Sequence, residues 1–339
     1  REQNFALNLL MDPEIDFVSL LGQAGTGKTL LTLAAGLTQV LESRRAQAAL
    51  QAGNTGLALR HMQRACELAP DAVAPRFELA CLLAHLGQPD EALAHFRACV
   101  AMQPDFAEGW HFIGLTLARQ GHLHDALAPL RRAHSLDPGN QRVLERLAQA
   151  EFEVGDAADA LPLWRALAAL RPGDETIELK LGETLSRLGD ADAASQLFEQ
   201  ALQRDPASPN LWMARAQAEE ISGRRDDAEA AYERALALRP GWAFPLAGLL
   251  GLRRGQAAED RVHEAQALLD DPARGDDERA LVGYELGKVF DGRGDYPRAM
   301  QAWHAANAAR RRDQGEPDPA DLASRVEASL AVFNRDLFE

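Results

Sequence analysis

The feature that most constrains this chain is a 34-residue period that runs through most of its 339 residues. Glycines recur on it at Gly53, Gly87, Gly121, Gly155, Gly189 and Gly223. Prolines recur on it at Pro70, Pro104, Pro138, Pro172, Pro206 and Pro240. Alanines recur on it at Ala58, Ala92, Ala126, Ala160, Ala194 and Ala228. Three markers that keep one register over six copies predict a repeat architecture, in which stacked units bury one another's apolar faces.

Each marker has a physical role in a pair of antiparallel helices. The glycine ends the first helix, where a left-handed backbone suits a residue without Cβ. The alanine lets the second helix pack closely, and the proline ends it because proline donates no backbone hydrogen bond. Small residues recur seven positions before the glycine, as at Gly114 and Gly182, and large ones four after the alanine, as at Leu130 and Phe198. Aromatic residues make up only 6% of the chain, which favours Ala- and Leu-rich helices.

This pattern resembles the tetratricopeptide repeat, strongly over about 39–242. The family's W-x2-L-G signature is visible from Trp110 to Gly114 (WHFIG), and its A-x3-aromatic signature from Ala228 to Tyr232 (AEAAY). The resemblance implies an all-α fold, a right-handed superhelix (α-solenoid) of about six regular and one or two degenerate repeats. It also implies that the first helix of each repeat lines a concave groove.

The register predicts the domain organisation. Residues 43–242 hold six repeats, and 243–279 form a degenerate helical repeat in which the markers fade. The register returns at Gly287, Gly294 and Ala299, so we expect a last repeat at 280–313. A Pro- and Asp-rich linker and a final helix, about 321–336, complete 314–339.

Residues 1–42 do not share the period. FVSLL at 17–21 predicts a buried strand that leads into Gly22-Gln-Ala-Gly-Thr-Gly27-Lys28-Thr29 and then a helix. This G-x4-G-K-T sequence between a strand and a helix is typical of a phosphate-binding loop. Backbone N–H groups at Gly22, Gly25, Thr26 and Gly27 would cradle phosphates. Lys28 would reach the outer phosphates, and Thr29 would ligate Mg²⁺, so ATP with Mg²⁺ is the expected cofactor if any is bound.

The same segment resembles the start of the ATPase domain of PhoH-like proteins, of the kind that carry a PIN nuclease domain. The resemblance implies that Gln3 lies in the adenine-contacting segment, and the family is linked with ATP hydrolysis and RNA processing. It ends near Glu42. ATP hydrolysis needs a second acidic strand end and a residue that positions water, and no segment downstream predicts them. We therefore expect a truncated phosphate loop with no catalytic residues, whose helix at 28–41 can continue into the first repeat helix at 43–52.

The expected groove positions carry a mixture of charges and amides. They are Phe77, His111, Arg119, Arg142, Glu145, Gln149, Glu153, Arg187, Asn210, Gln217 and Glu220. This mixture suits an extended peptide or a neighbouring protein domain. Some repeats of this family hold a C-terminal carboxylate with Lys and Asn at such positions, and Lys is absent from them here.

Composition excludes several other roles. The net charge of −15, from 51 acidic and 36 basic residues, argues against general nucleic-acid binding. The longest apolar run, at 29–41, is too short to span a bilayer. Three cysteines without a C-x2-C pair indicate a reducing cytoplasm, and neither they nor the histidines have zinc-ligand spacing.

Two alternatives to a protein-interaction scaffold stay open. One is an ATP-binding PhoH-like protein. The other comes from residues 278–312, which resemble the last repeat of tetratricopeptide-sulfotransferase proteins and would make the chain the non-catalytic half of a sulfotransferase. No phosphosulfate-binding loop follows before Glu339, so we expect no transferase activity from this chain.

Overall fold

The computed structural model of the chain describes residues 27–315 and 323–328, with side chains from Gly36 onward in those ranges. The expected strand at 17–21, the loop residues 22–26 and Gln3 lie outside the described residues. Within the described ranges every regular element is helical, and no β-strand occurs. Residues 1–167 and 168–339 form two compact units, called unit 1 and unit 2 below.

Helices follow one another with short connections throughout. Unit 1 contains α1 Gly27–Gln51, α2 Thr55–Leu68, α3 Val73–His85, α4 Pro89–Met102, α5 Ala107–Arg119, α6 Leu123–Leu136 and α7 Gln141–Val154. The unit boundary falls within α8 Ala157–Leu170. Unit 2 contains α9 Glu175–Arg187, α10 Ala191–Arg204, α11 Pro209–Ile221, α12 Arg225–Leu238, α13 Ala243–Arg253, a 3₁₀ turn Arg254–Gln256, α14 Glu259–Asp270, α15 Asp276–Gly292 and α16 Tyr296–Gln314.

The predicted small and large positions meet inside two of the helix pairs. A Cβ added at Gly114 on α5 would lie 2.6 Å from Cγ of Leu130 on α6, and one added at Gly182 on α9 would overlap the ring of Phe198 on α10. Phe198 and Leu130 are both buried. The spacing therefore predicted a real packing contact, in which the missing side chain makes room for the large one.

Left-handed glycines end most of the first helices, as predicted. Gly87 and Gly189, for example, have φ of +77° and +81°. The prediction is wrong for Gly155, which has φ of −93° and is itself the cap of α7. Helix α7 is one residue longer than α5 or α9, and a side chain at position 155 would overlap the buried carboxylate of Glu151.

The first helix crosses the end of the PhoH-like segment without a break. Helix α1 continues through Glu42, and its last turns bury Ala46 and Ala49 in the core of unit 1. Glu42 itself is only 8% exposed and lies 2.5 Å from Nδ1 of His61 on α2, with Arg45 donating to its other oxygen at 2.9 Å. The end of the PhoH-like segment thus forms part of the first repeat.

The helices of the degenerate repeat are shorter than those of the regular repeats. Helix α13 has 11 residues, and its cap, Arg254, has φ of +44°. Arg254 is the one residue other than glycine with positive φ in the described ranges. Arg293 fixes the turn that follows by donating to the carbonyl oxygens of Gly255 at 3.0 Å and Ala257 at 2.6 Å. Helices α15 and α16 cover the segment where the last repeat is predicted, and residues 323–328, within the segment of the expected final helix, are helical.

Candidate functional site

Two adjoining cavities form a groove along one side of unit 2, here called the unit 2 groove. The first, of about 760 Å³, lies over α9 and α11, and the second, of about 350 Å³, continues over α13 and α15. Four residues line both, namely Met213, Gln217, Glu220 and Tyr232. The groove is therefore a continuous surface that runs over four alternate helices, α9, α11, α13 and α15.

The floor of the groove is apolar and partly open to solvent. Met213 lies at its centre, Trp242 lines the first cavity, and Leu281 lines the second. Ile221 is 60% exposed and Phe244 is 47% exposed. Exposed apolar side chains that are grouped in a groove with a polar edge are typical of an interaction site.

The rim of the groove carries four of the residues that the sequence predicted. Arg187, Asn210, Gln217 and Glu220 all line it. The Tyr232 hydroxyl donates to Oε2 of Glu220 at 2.7 Å. Burial, and then this hydrogen bond to a carboxylate, raise the pKa of Tyr232. The hydroxyl stays protonated and holds the Glu220 carboxylate at the groove edge.

The other rim side chains are also fixed by neighbours. Asn210 on α11 donates to Glu175 on α9 at 2.9 Å, and Arg187 lies 3.7 Å from Glu183 on the same helix. These contacts hold polar groups at the rim while leaving the floor uncovered.

A second cavity, the unit 1 pocket, lies between α5 and α7 and has a volume of about 740 Å³. The predicted residues His111, Arg119, Arg142 and Glu145 line it. Burial, followed by the charges of Arg146 and Arg142, lowers the pKa of His111. The pocket also contains four carboxylates, at Asp105, Glu108, Asp137 and Glu145, so its charge is mixed as the sequence predicted.

The remaining predicted positions line neither the unit 2 groove nor the unit 1 pocket. Phe77 packs its ring 5.0 Å from Phe106 and 5.3 Å from Phe112, behind the unit 1 pocket. Gln149 donates to Glu153 one turn further along α7. Phe77 thus supports the pocket wall, and the Gln149–Glu153 pair lies beyond it.

Sequence reasoning missed the apolar floor of the unit 2 groove. Phe244, Trp242 and Leu281 lie in or beside the degenerate repeat, where the register no longer assigns positions to faces. A usable signal was Trp242 followed by Phe244, two large aromatic residues at the start of a helix in a chain with few aromatics.

Buried glutamates connect neighbouring helices in both units, and the period did not predict them. Glu151 on α7 is 2% exposed and accepts from Arg131 on α6 at 2.5 and 2.8 Å. Glu219 on α11 is 3% exposed, accepts from the Ser195 hydroxyl on α10 at 2.5 Å and pairs with Arg224. Such charge-assisted bonds fix one helix against the next.

The described residues contain no group of three or more His, Cys, Asp or Glu side chains arranged to hold a metal ion. All three cysteines are free thiols. Burial raises the pKa of Cys99 to about 11 and that of Cys81 to about 12. These thiols are therefore protonated at neutral pH, and Cys99 is fully buried in the core of unit 1. No helix in the described ranges is both long and apolar enough to cross a membrane.

The helix pairs, their 34-residue period and the groove over first helices define a helical repeat scaffold. Three family models described as tetratricopeptide repeat match residues 43–105, residues 107–150 with 209–252, and residues 151–218, which together are more than half of the chain. The chain belongs to the tetratricopeptide repeat family.

Solved structures show the same fold. The chain superposes with a TM-score of 0.56 and 19% identity on a tetratricopeptide repeat protein from Parabacteroides merdae, over 70% of this chain and 93% of that one. It superposes with a TM-score of 0.51 and 18% identity on YrrB, described as a TPR protein with an unusual peptide-binding site, over 55% of this chain and 95% of YrrB. At this level of identity the likeness shows the fold alone.

Curated relatives match a short stretch, which supports the PhoH-like N-terminal segment. Protein PhoH2 of Thermobispora bispora is 64% identical over 44 residues, 13% of this chain and 10% of that protein. Protein PhoH2 of Bacillus subtilis is 60% identical over 38 residues, 11% of this chain and 9% of that protein. The chain thus spans about a tenth of the length of the curated relatives that it matches.

Proposed function

We propose that the chain is a protein-interaction scaffold that binds an extended peptide in the unit 2 groove. The observation that carries this proposal is the exposed apolar floor around Phe244 and Met213, which lies between polar rims that are already fixed by their neighbours. An extended peptide would place alternate side chains on the floor and its polar groups at the rim. The three free thiols fit a reducing cytoplasm as the place where it acts.

Selection from a random-peptide display library tests this proposal. Enriched peptides are labelled with fluorescein, and their affinities for the full chain are measured by fluorescence anisotropy. We expect Phe244→Ser to weaken binding by roughly tenfold, since a large apolar contact of a binding interface is worth about 1–2 kcal/mol.

The matched control is Tyr296→Ser on α16. Tyr296 is 64% exposed and lines none of the cavities described above, so the affinity should not change. Peptides that bind wild type and Phe244→Ser equally would place the binding surface elsewhere and refute the proposal.

ATP binding by the phosphate loop is a second candidate, favoured by the G-x4-G-K-T sequence and the PhoH2 match. The loop residues Gly22, Gly25 and Thr26 lie outside the described residues, whereas Gly27, Lys28 and Thr29 begin α1. A fluorescent ATP analogue should bind to the wild-type chain, and this binding should be lost in Lys28→Ala. Absence of binding at millimolar ATP would exclude this role. The sulfotransferase alternative stays a prediction, tested by reading the gene beyond Glu339.

A further inference from the structure

Arg254 adopts a backbone conformation that costs free energy, and the residues around it enforce that conformation. Its φ of +44° lies in the left-handed region, which disfavours every residue with a Cβ. The next residue, Gly255, packs directly on the backbone of Gly292, where a Cβ would lie 2.7 Å from the carbonyl oxygen. Arg293 holds the turn from the other side. The turn therefore has little freedom to relieve the strain.

A glycine would adopt a positive φ without that cost, and Gly223 and Gly294 at the ends of neighbouring helices have φ of +77° and +75°. The side chain of Arg254 does not offset this free-energy cost through a polar contact within the fold. Arg254 is exposed, and its side chain makes no hydrogen bond or ion pair with any residue that the structure describes. A strained residue whose side chain has no structural partner indicates a functional role.

Arg254 lies where the unit 2 groove meets a further cavity of about 540 Å³, and it lines both. The further cavity also contains Arg225, which has no ion pair among the described residues, and Arg253, whose charge is balanced by Glu229 and Asp226. Arg254 and Arg225 thus place two guanidinium groups without an ion pair among the described residues at this end of the groove, beside the carboxylate of Glu220.

The carboxylates that face this end already have partners. Glu220 accepts the Tyr232 hydroxyl at 2.7 Å, and Glu285 lies 2.7 Å from Nζ of Lys288. Neither forms an ion pair with Arg254 or Arg225. In a chain of net charge −15, a local pair of free guanidinium groups beside an apolar floor is the complement of an acidic ligand.

We propose that this end of the unit 2 groove recognises a side-chain carboxylate of the bound peptide. An Asp or Glu would pair with Arg254 and Arg225, and adjacent apolar side chains would lie on the floor at Phe244 and Met213. The class of partner is therefore an acidic peptide with apolar residues beside its acidic group. This inference rests on the proposed function, because it assigns a specificity to the same groove.

Parallel selections test the specificity. A random-peptide display library is selected against the full chain as wild type, Arg254→Gln, Arg225→Gln and Arg234→Gln. Arg234 is an exposed arginine on α12 that lines none of these cavities, so its variant controls for the change in net charge. Wild type and Arg234→Gln should enrich Asp or Glu beside apolar residues, and the other two variants should lose that enrichment.

Affinities then locate the carboxylate. The best wild-type peptide is compared with its Glu→Gln counterpart and with a C-terminally amidated form. We expect Glu→Gln in the peptide to weaken its binding to the wild-type chain by roughly three- to tenfold, which is the range for partly exposed ion pairs. The same change in the peptide should not weaken its binding to Arg254→Gln. Amidation should have no effect, because the proposal assigns a side-chain carboxylate.

Stability separates this role from a structural one. Arg254→Gly should raise the urea midpoint, because glycine relieves the strain, while it removes the preference for the acidic peptide. Selected peptides without an acidic preference, or equal affinity for the Glu and Gln peptides in wild type, would overturn the inference. If those peptides still depend on Phe244, the groove binds peptides and only the carboxylate specificity fails. If no peptide depends on Phe244, the proposed function fails as well.

Discussion

At the residue scale, the repeat depends on a missing side chain that lets a large one fit. The ring of Phe198 fills the space above Gly182, and Phe198 is only 2% exposed. These contacts were predictable, because both residues sit at fixed places in the period. The buried carboxylate of Glu219 was not, because a glutamate in an amphipathic helix is normally interpreted as part of the solvent face.

Replacing Gly182 with alanine should therefore overpack the core. We expect Gly182→Ala to lower the free energy of unfolding by about 1–3 kcal/mol. Gly56→Ala is the matched control, because Gly56 lies in the first turn of α2 and a Cβ there meets no atom within 4 Å. It should raise that free energy by about 0.5–1 kcal/mol through helix propensity. Urea denaturation measures both, and equal effects would contradict the packing account.

Glu219 should make stability depend on pH. Burial raises its pKa, but the hydrogen bond from Ser195 and the pairing with Arg224 outweigh burial, so the pKa is lowered in the folded chain. A lowered pKa contributes stability above the unfolded pKa of about 4.3, and that stability is lost as pH falls through the folded value.

Glu219→Gln removes the charge that this pairing needs. It should cost about 1–3 kcal/mol at pH 7 and flatten the loss of stability on acidification below pH 5. Glu199→Gln is the control, because Glu199 is an exposed glutamate on α10. Denaturant titrations at several pH values measure both variants. An unchanged acid profile in Glu219→Gln would contradict the assignment.

At the element scale, helix α1 joins two segments of different resemblance. The sequence placed a junction at Glu42–Ser43, because the PhoH-like resemblance ends there while the repeat register begins. The structure has one helix through this point, with the Glu42 carboxylate buried against α2. Resemblance to a family indicates where a segment of sequence comes from. Whether a helix continues depends instead on the helix propensity of its residues and on their packing. No glycine or proline near residue 42 ends the helix.

Because Glu42 is buried, we expect its substitution to reduce stability more than the substitution of a glutamate in a surface ion pair. Glu42→Ala should destabilise unit 1 by about 1–3 kcal/mol, because it leaves His61 and Arg45 without their acceptor. Glu67→Ala removes a surface pair with Arg64 and should cost at most about 1 kcal/mol. Thermal and urea unfolding measure the difference. If the two variants lose equal stability, the helix is not docked as described.

At the scale of the whole molecule, periodicity was enough to predict the fold class but not the groove. Identical spacing implies similar helix pairs, and Ala, Gly and Pro markers report directly on packing and helix ends. The unit 2 groove depends on α13 and Arg254, which lie where the register fades. Part of its floor comes from Trp242 and Phe244, which are not among the markers of the period. The division of the chain within α8 likewise has no counterpart in the period.

Methionine methyl groups offer a direct readout of where a peptide binds. The chain has five methionines. Met213 lines both cavities of the unit 2 groove, Met62 is buried in unit 1, and Met102 and Met300 are exposed away from the groove.

The measurement that tests the central claim most directly is an NMR titration of ¹³C-methyl methionine in the full chain with a display-selected peptide. The account predicts that the Met213 methyl resonance shifts and saturates with the affinity measured by anisotropy, while Met62, Met102 and Met300 keep their positions. Saturable shifts at Met102 or Met300 with no change at Met213 would contradict it.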